Sequence, residues 1–161
     1  MIALSLLVFS GCGIRVQPKY ENTSFYYYSD ATEYNSEYGP FALEYRRIDI
    51  TPENIVSAID LYLQGPLEDS FTSPFPDGVT VVDFNLSDRT VNITLSRHFA
   101  RLTGIDLTVA CSCLTLTLTE LLDADRVVIS ALDTQLDGKA SISMERNNII
   151  LWDSADEEAS D

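Results

Sequence analysis

The stretch "LYLQGPLEDSFTSPFPDGVTVVDF", residues 61–84, places the tightest constraint on how this chain can fold. An apolar run stops at Gly65-Pro66, Pro74 and Pro76 follow, and Asp77-Gly78 opens a valine-rich segment. Upstream, "TPENIVSAIDLYLQ" reads as a helix. Thr51 suits the N-cap, Pro52 the first helical position, and Glu53 the positive end of the helix dipole. Ile55, Ala58, Ile59 and Tyr62 then form one apolar stripe. Gly65 can take the positive-φ conformation that closes a helix, and Pro66 prevents its continuation. A phosphate-binding loop has the opposite polarity, because it precedes a helix and offers that helix's N-terminal amides. Gly65-Pro66 is therefore helix punctuation. Pro74 and Pro76 stiffen an extended joint into the next strand and are poorly suited to a mobile lid.

On either side of this joint the pattern is mixed. "SFYYYSD" (Ser24 to Asp30) and "FALEYRRIDI" (Phe41 to Ile50) have strand composition, separated by the loop "ATEYNSEYGP". After the joint, "VTVVDFNL" and "TVNITL" form a hairpin turned by "SDR". "SRHFARLTG" predicts a short helical turn. "IDLTVACSCLTLTLTELL" carries two signals: "LTLTLT" alternates like a strand, and threonine disfavours helix. Leu107, Cys111, Leu114, Leu118 and Leu121 nevertheless keep a three-four spacing, and the segment is longer than a typical strand. Helix is the expectation. "DRVVISAL" and "ISMERNNIILW" follow as strands around the turn region "DTQLDGKAS". The expected fold class is α+β, a single domain with two main helices packed on one side of a mixed, largely antiparallel sheet.

Charge narrows the partners. Twenty-five acidic residues against ten basic ones give a net charge of −15, which excludes nucleic acid, since phosphate binding needs clustered Lys and Arg. Arg46-Arg47 is read as an ordinary exposed pair. The first eleven residues, "MIALSLLVFSG", are apolar but shorter than the ~20 residues that span a bilayer. They lead into Cys12, and "FSGC" resembles a bacterial lipobox, whose cysteine becomes the lipidated N-terminus. The expected organisation is a signal-peptide remnant (1–11), whose true start lies upstream, and a lipidated Cys12 with a polar tether (12–23). The folded domain (24–152) and a disordered acidic tail (153–161) follow. The membrane contact would run through the lipid on Cys12.

Catalytic signals are thin. Cys111 and Cys113 would point about 200° apart on a helix, so they make neither a metal pair nor a disulfide and are expected to be buried. His98 is the sole histidine. Ser96, His98 and Asp106 could compose a triad by residue type, but no nucleophile-elbow sequence surrounds any serine. Ser96 is expected to cap the following helical turn, with Phe99 packed inward. Glu44, Asp49, Asp60 and Asp83 lie in unrelated elements and so make no glycosidase pair. No enzymatic activity, cofactor or metal is expected. Tyr26, Tyr28, Tyr34 and Tyr38 are the candidates for contact with a ligand or partner.

The order of these pieces resembles the GerM-type sporulation and germination domain, the GerMN domain. The resemblance rests on Leu63, Gly65 and Pro66 at the helix end, Pro76 and Gly78 in the proline step, Leu95, Ser96 and Phe99, then Val127 and Val128. It covers residues 25–152, and Gly65, Pro66, Pro76 and Gly78 are its fold signature. It implies an α+β domain of an envelope lipoprotein on the extracytoplasmic face of a bacterial membrane, acting as an interaction module. It offers no catalytic residues to carry over. One copy of the domain and no fused hydrolase are expected, unlike some relatives. Two functions remain open: a scaffold that binds envelope proteins, in sporulation or germination, and a module that binds peptidoglycan glycan or peptide through its tyrosines.

Overall fold

The computed structural model describes residues 23–29 and 40–149. Strands β1 (Thr23–Tyr28) and β2 (Phe41–Arg46) pair antiparallel, Thr23 opposite Arg46 and Tyr28 opposite Phe41. Helix α1 (Ile55–Leu63) follows. Next come β3 (Val81–Ser87), β4 (Thr90–Leu95), a 3-10 turn (Arg97–Arg101) and helix α2 (Gly104–Leu121). β5 (Arg126–Ala131), β6 (Ile142–Glu145) and a second 3-10 turn (Arg146–Asn148) complete the order. The α+β class and the largely antiparallel pairing are as expected. The strands divide between two sheets where one was expected, β1-β2 and β3-β4-β5-β6. Among the described strands only β4 and β5 run parallel, and α2 is the crossover that parallel neighbours require.

Helix α2 explains its own ambiguous sequence. Every residue from Ala110 to Thr119 is buried, because the helix contacts β1 as well as β5 and β6. A helix enclosed on all sides has no polar stripe, so its period is blurred. One of its threonines, Thr117, serves the backbone of β1. Tyr26 lies in the strand position whose N–H and C=O point away from β2. Its N–H donates to Thr117 Oγ1 at 3.0 Å, and its carbonyl accepts from the Tyr62 hydroxyl at 2.7 Å. Buried backbone groups need partners, and two side chains supply them. Thr119 bonds back to the carbonyls of Thr115 and Leu116. Cys111 and Cys113 are both free and buried, and burial pushes the Cys111 thiol up to about 12 and that of Cys113 further up.

Some boundaries shift. Helix α1 begins at Ile55 with Asn54 as N-cap, and residues 51–54 form a lead-in turn in which Thr51 N–H donates to Asn54 Oδ1. The expected N-cap at Thr51 is thus displaced by three residues. β2 ends at Arg46 and β6 at Glu145, both short of the sequence expectation. The hairpin turn holds Asp88 and Arg89 at φ 50° and 58°, a type I′ geometry that normally selects Asn-Gly. Arg89 is held there by hydrogen bonds to Asp123 and Asp125, and its own carbonyl accepts from Asp125 N–H.

Candidate functional site

The joint between α1 and β3 is bonded along its length, and its anchors begin with a buried ion pair. Glu44 and Arg46, two residues apart on β2 and so on one face of the strand, pair with both side chains only 4% exposed. The other Glu44 oxygen accepts from the backbone N–H groups of Leu67 (2.6 Å) and Glu68 (3.0 Å). Arg46 donates to the Gly65 carbonyl and the Tyr27 hydroxyl, each at 2.7 Å, and lies over the Phe25 ring. The expected exposed pair Arg46-Arg47 is therefore half wrong: Arg47 is exposed, whereas Arg46 is core. Its cationic head is accommodated because carboxylate, carbonyl, hydroxyl and ring faces surround it.

Gly65 has φ +112°, as its punctuating role requires, and Gly78 has φ +80°. Between them Thr72 exchanges two backbone hydrogen bonds with Tyr28, at 3.3 and 2.9 Å. This stitches the proline segment to the end of β1. At the far end Ser96 takes over. Its hydroxyl accepts from Thr80 N–H and donates to the Gly78 carbonyl. Ser96 was expected to cap the 3-10 turn; it makes no side-chain cap there and bonds the joint instead. Asp60 on α1 accepts from Val81 N–H at 2.7 Å. Phe99 is fully buried, as expected.

This anchored segment forms one wall of an open groove of about 760 Å³, within the size range of ligand sites. Pro74, Phe75 and Pro76 line it together with Leu102, Ile105 and Val109, and Tyr28, Pro40 and Asp106 also reach it. The lining is mostly apolar, and Ile105 is 74% exposed. Arg101 stands at the junction with a second, polar cavity of about 460 Å³ lined by Arg97, His98, Leu132, Asp133 and Thr134.

The candidate tyrosines separate. Tyr28 lines the groove. Tyr26 is buried, its hydroxyl donating to Glu120 at 2.7 Å and accepting from Arg146 at 3.1 Å, so it presents no surface for a ligand. Burial, and after it the Glu120 bond, pushes its pKa up to about 12. Tyr34 and Tyr38 lie outside the described residues, as do Cys12, the tether and the acidic tail. Ser96 and His98 approach to 3.4 Å, but Asp106 lies in the groove lining and no carboxylate bonds His98 among the described residues. No cluster of three or more metal-ligating side chains occurs among those residues. Sequence reasoning missed the groove itself and the Glu44–Arg46 pair. The only available signal was the spacing of two opposite charges on one strand face.

The family model for sporulation and spore germination, Germane, matches residues 24–137. The chain belongs to that family. Its fold is similar to the first GerMN domain of the sporulation protein GerM from Bacillus subtilis. That structure is 18% identical with a TM-score of 0.57, over 74% of this chain and 91% of that one. The tandem GerMN domains of the same protein give 20% identity and a TM-score of 0.60, covering 78% of this chain and 45% of the tandem chain. No curated protein matches the chain in sequence. At these identities the structures speak for the fold alone. Within this Germane domain, Gly65, Pro66, Pro76 and Gly78 all belong to the anchored joint that walls the groove.

Proposed function

We propose that this Germane domain is a non-catalytic interaction module of the cell envelope, tethered to the membrane through a lipid on Cys12, and that the groove beside Tyr28 and Ile105 is where its partner docks. The single observation that carries this reading is the open apolar groove held in shape by a bonded joint. Exposed apolar concavities on a soluble domain mark binding surfaces. Membership in a family described by sporulation and spore germination supports a role in one of those processes. The β3 edge is a weaker handle. It carries a bulge between Val81 and Asp83 and the acidic residue Asp83, features that discourage strand addition. Among the described tyrosines only Tyr28 reaches the groove, which favours a protein partner over a glycan stacked on several rings.

A photo-crosslinking amino acid at Tyr28, at Ile105 and, as a distant control, at Leu86 tests this in the native cell. One defined envelope protein captured from the two groove positions and not from Leu86 is the expected result. Wall fragments captured in its place would make the domain a glycan or peptide binder of the wall. Labelling with a clickable fatty acid tests the anchor: incorporation is expected in the natural chain and lost in Cys12→Ser. An unlabelled natural chain would end the lipoprotein reading.

A further inference from the structure

We infer that the apolar groove and the adjoining Arg97–His98–Arg101 face form one site for an extended acidic peptide, its apolar residues in the groove and its carboxylates on the two arginines. This deepens the interaction-module reading, on which it rests, by assigning the partner's chemistry.

Two arginines beside the groove are left without a close carboxylate. Arg46, Arg89, Arg126 and Arg146 are each held by a carboxylate on this chain, and Arg47 and Lys139, exposed and without ion pairs among the described residues, line neither cavity. Arg97 reaches Asp133 only at 3.8 Å with both side chains largely exposed, and Arg101 has no ion pair among the described residues. On a chain of net charge −15, two neighbouring arginines without close partners stand four positions apart on one 3-10 turn, beside the one described histidine. Arg101 lines both cavities, so the cationic face and the apolar groove are continuous. A partner that matches them is apolar along its length and anionic at one end.

Other occupants fit less well. A glycan would need a row of polar donors, whereas the groove lining is chiefly proline, aliphatic residues and the rings of Tyr28 and Phe75, with Thr72, Ser73, Arg101 and Asp106 as its polar side chains. An anionic bilayer is a broad charged surface that would face the acidic remainder of the chain as well as the arginines, whereas the few carboxylates of a peptide need reach only the arginine face. An open trough flanked by guanidinium groups suits an extended peptide, because guanidinium pairs well with carboxylate.

The test uses the full 161-residue chain and fluorescein-labelled synthetic peptides of alternating Leu and Pro. One ends in Asp-Glu-Asp, a second in Asn-Gln-Asn, and binding is read by fluorescence anisotropy. The acidic peptide is expected to bind about tenfold more tightly at low salt. The paired substitutions Arg97→Gln and Arg101→Gln should abolish that preference, and Ile105→Glu should weaken both peptides. All three side chains are exposed, so folding is preserved, and circular dichroism checks it. Equal binding of the two peptides would overturn the proposal. So would acidic-peptide binding that ignores all three substitutions. Arginine-dependent binding to phosphatidylglycerol vesicles in preference to the peptide would reassign the face to lipid. Binding that appears only after removal of residues 153–161 would make the chain's own acidic tail the occupant. The failures are separable. Crosslinking of an envelope protein at Tyr28 and Ile105, with indifference to peptide charge, would sink only the acidic assignment. Charge-selective peptide binding without any protein crosslinked at Tyr28 or Ile105 would uphold the acidic site and overturn only the assignment of an envelope protein as its occupant.

Discussion

Glu44 and Arg46 form a fully enclosed ion pair whose further hydrogen bonds reach the backbone at Gly65, Leu67 and Glu68 and the Tyr27 hydroxyl. The Gly-Pro step that ends α1 is thus fixed by a strand nineteen to twenty-four positions earlier. Removing one partner leaves an uncompensated buried charge, which costs about 3–5 kcal/mol. Glu44→Ala and Arg46→Ala should each lower stability by that order in urea denaturation. The double replacement Glu44→Met with Arg46→Met should cost less than either single change. Single changes that leave the unfolding midpoint in place would refute the clamp.

Gly65 is constrained by conformation and not by space. A Cβ there would meet Ser73 Cβ at 3.6 Å, an ordinary contact, but φ is +112°. Side chains other than glycine pay roughly 1–2 kcal/mol in such backbone. Gly65→Ala should lower stability by about that amount, and Gly65→Val, being β-branched, by somewhat more. An unchanged melting temperature in the valine variant would contradict the assignment.

Two threonines on α2 should respond with opposite signs. Thr115 Oγ1 is buried without a hydrogen-bond partner, whereas Thr117 Oγ1 accepts from Tyr26 N–H. Thr115→Val removes an unsatisfied hydroxyl and should raise stability by about 1 kcal/mol. Thr117→Val orphans a buried donor and should lower it by about 1–3 kcal/mol. Thermal unfolding of both variants reads the contrast directly, and shifts of the same sign would refute it.

Alkaline titration tests the tyrosine core. Burial raises the pKa of Tyr27 and Tyr62, and burial followed by the Glu120 bond raises that of Tyr26 to about 12. An unfolded tyrosine ionises near ~10. Below that pH both states are neutral and the stabilisation is complete. Between pH 10 and about 12 the unfolded chain has lost protons that the folded chain keeps, so stability falls as pH rises. Tyrosinate absorbance should rise in two steps, exposed rings first, with the second step coinciding with loss of the circular dichroism signal. One smooth titration near ~10 with the fold intact would contradict this.

What the sequence made legible was local. Gly65-Pro66, Asp77-Gly78 and the valine-rich hairpin announce themselves within a few residues, and α1, β3, β4 and the 3-10 turn follow from them. The long helix was legible through its leucine and cysteine spacing, against a threonine alternation in which Thr117 bonds another element, Thr119 its own helix and Thr115 nothing. The buried role of Arg46 was hidden, because its burial depends on a carbonyl nineteen residues away and a carboxylate that alternation alone does not single out. Tyr26 and Tyr28 are equivalent by period and opposite in fate. α2 and Arg146 cover the first, and the groove leaves the second uncovered. β6 stops early because Arg146 turns toward Tyr26 and Glu120, contacts that no local pattern encodes. The groove was illegible for the same reason, being assembled from three distant segments.

The bonds that close Tyr26 come from Tyr62 and Thr117, thirty-six and ninety-one positions later in the chain. During synthesis, the first hairpin therefore leaves the ribosome with its outer edge bare and stays so until α2 has been made. Such long-range closure slows folding and exposes an aromatic-rich strand meanwhile. A nascent chain of this kind is at its most vulnerable to wrong pairing in the interval between its first strand and its longest helix.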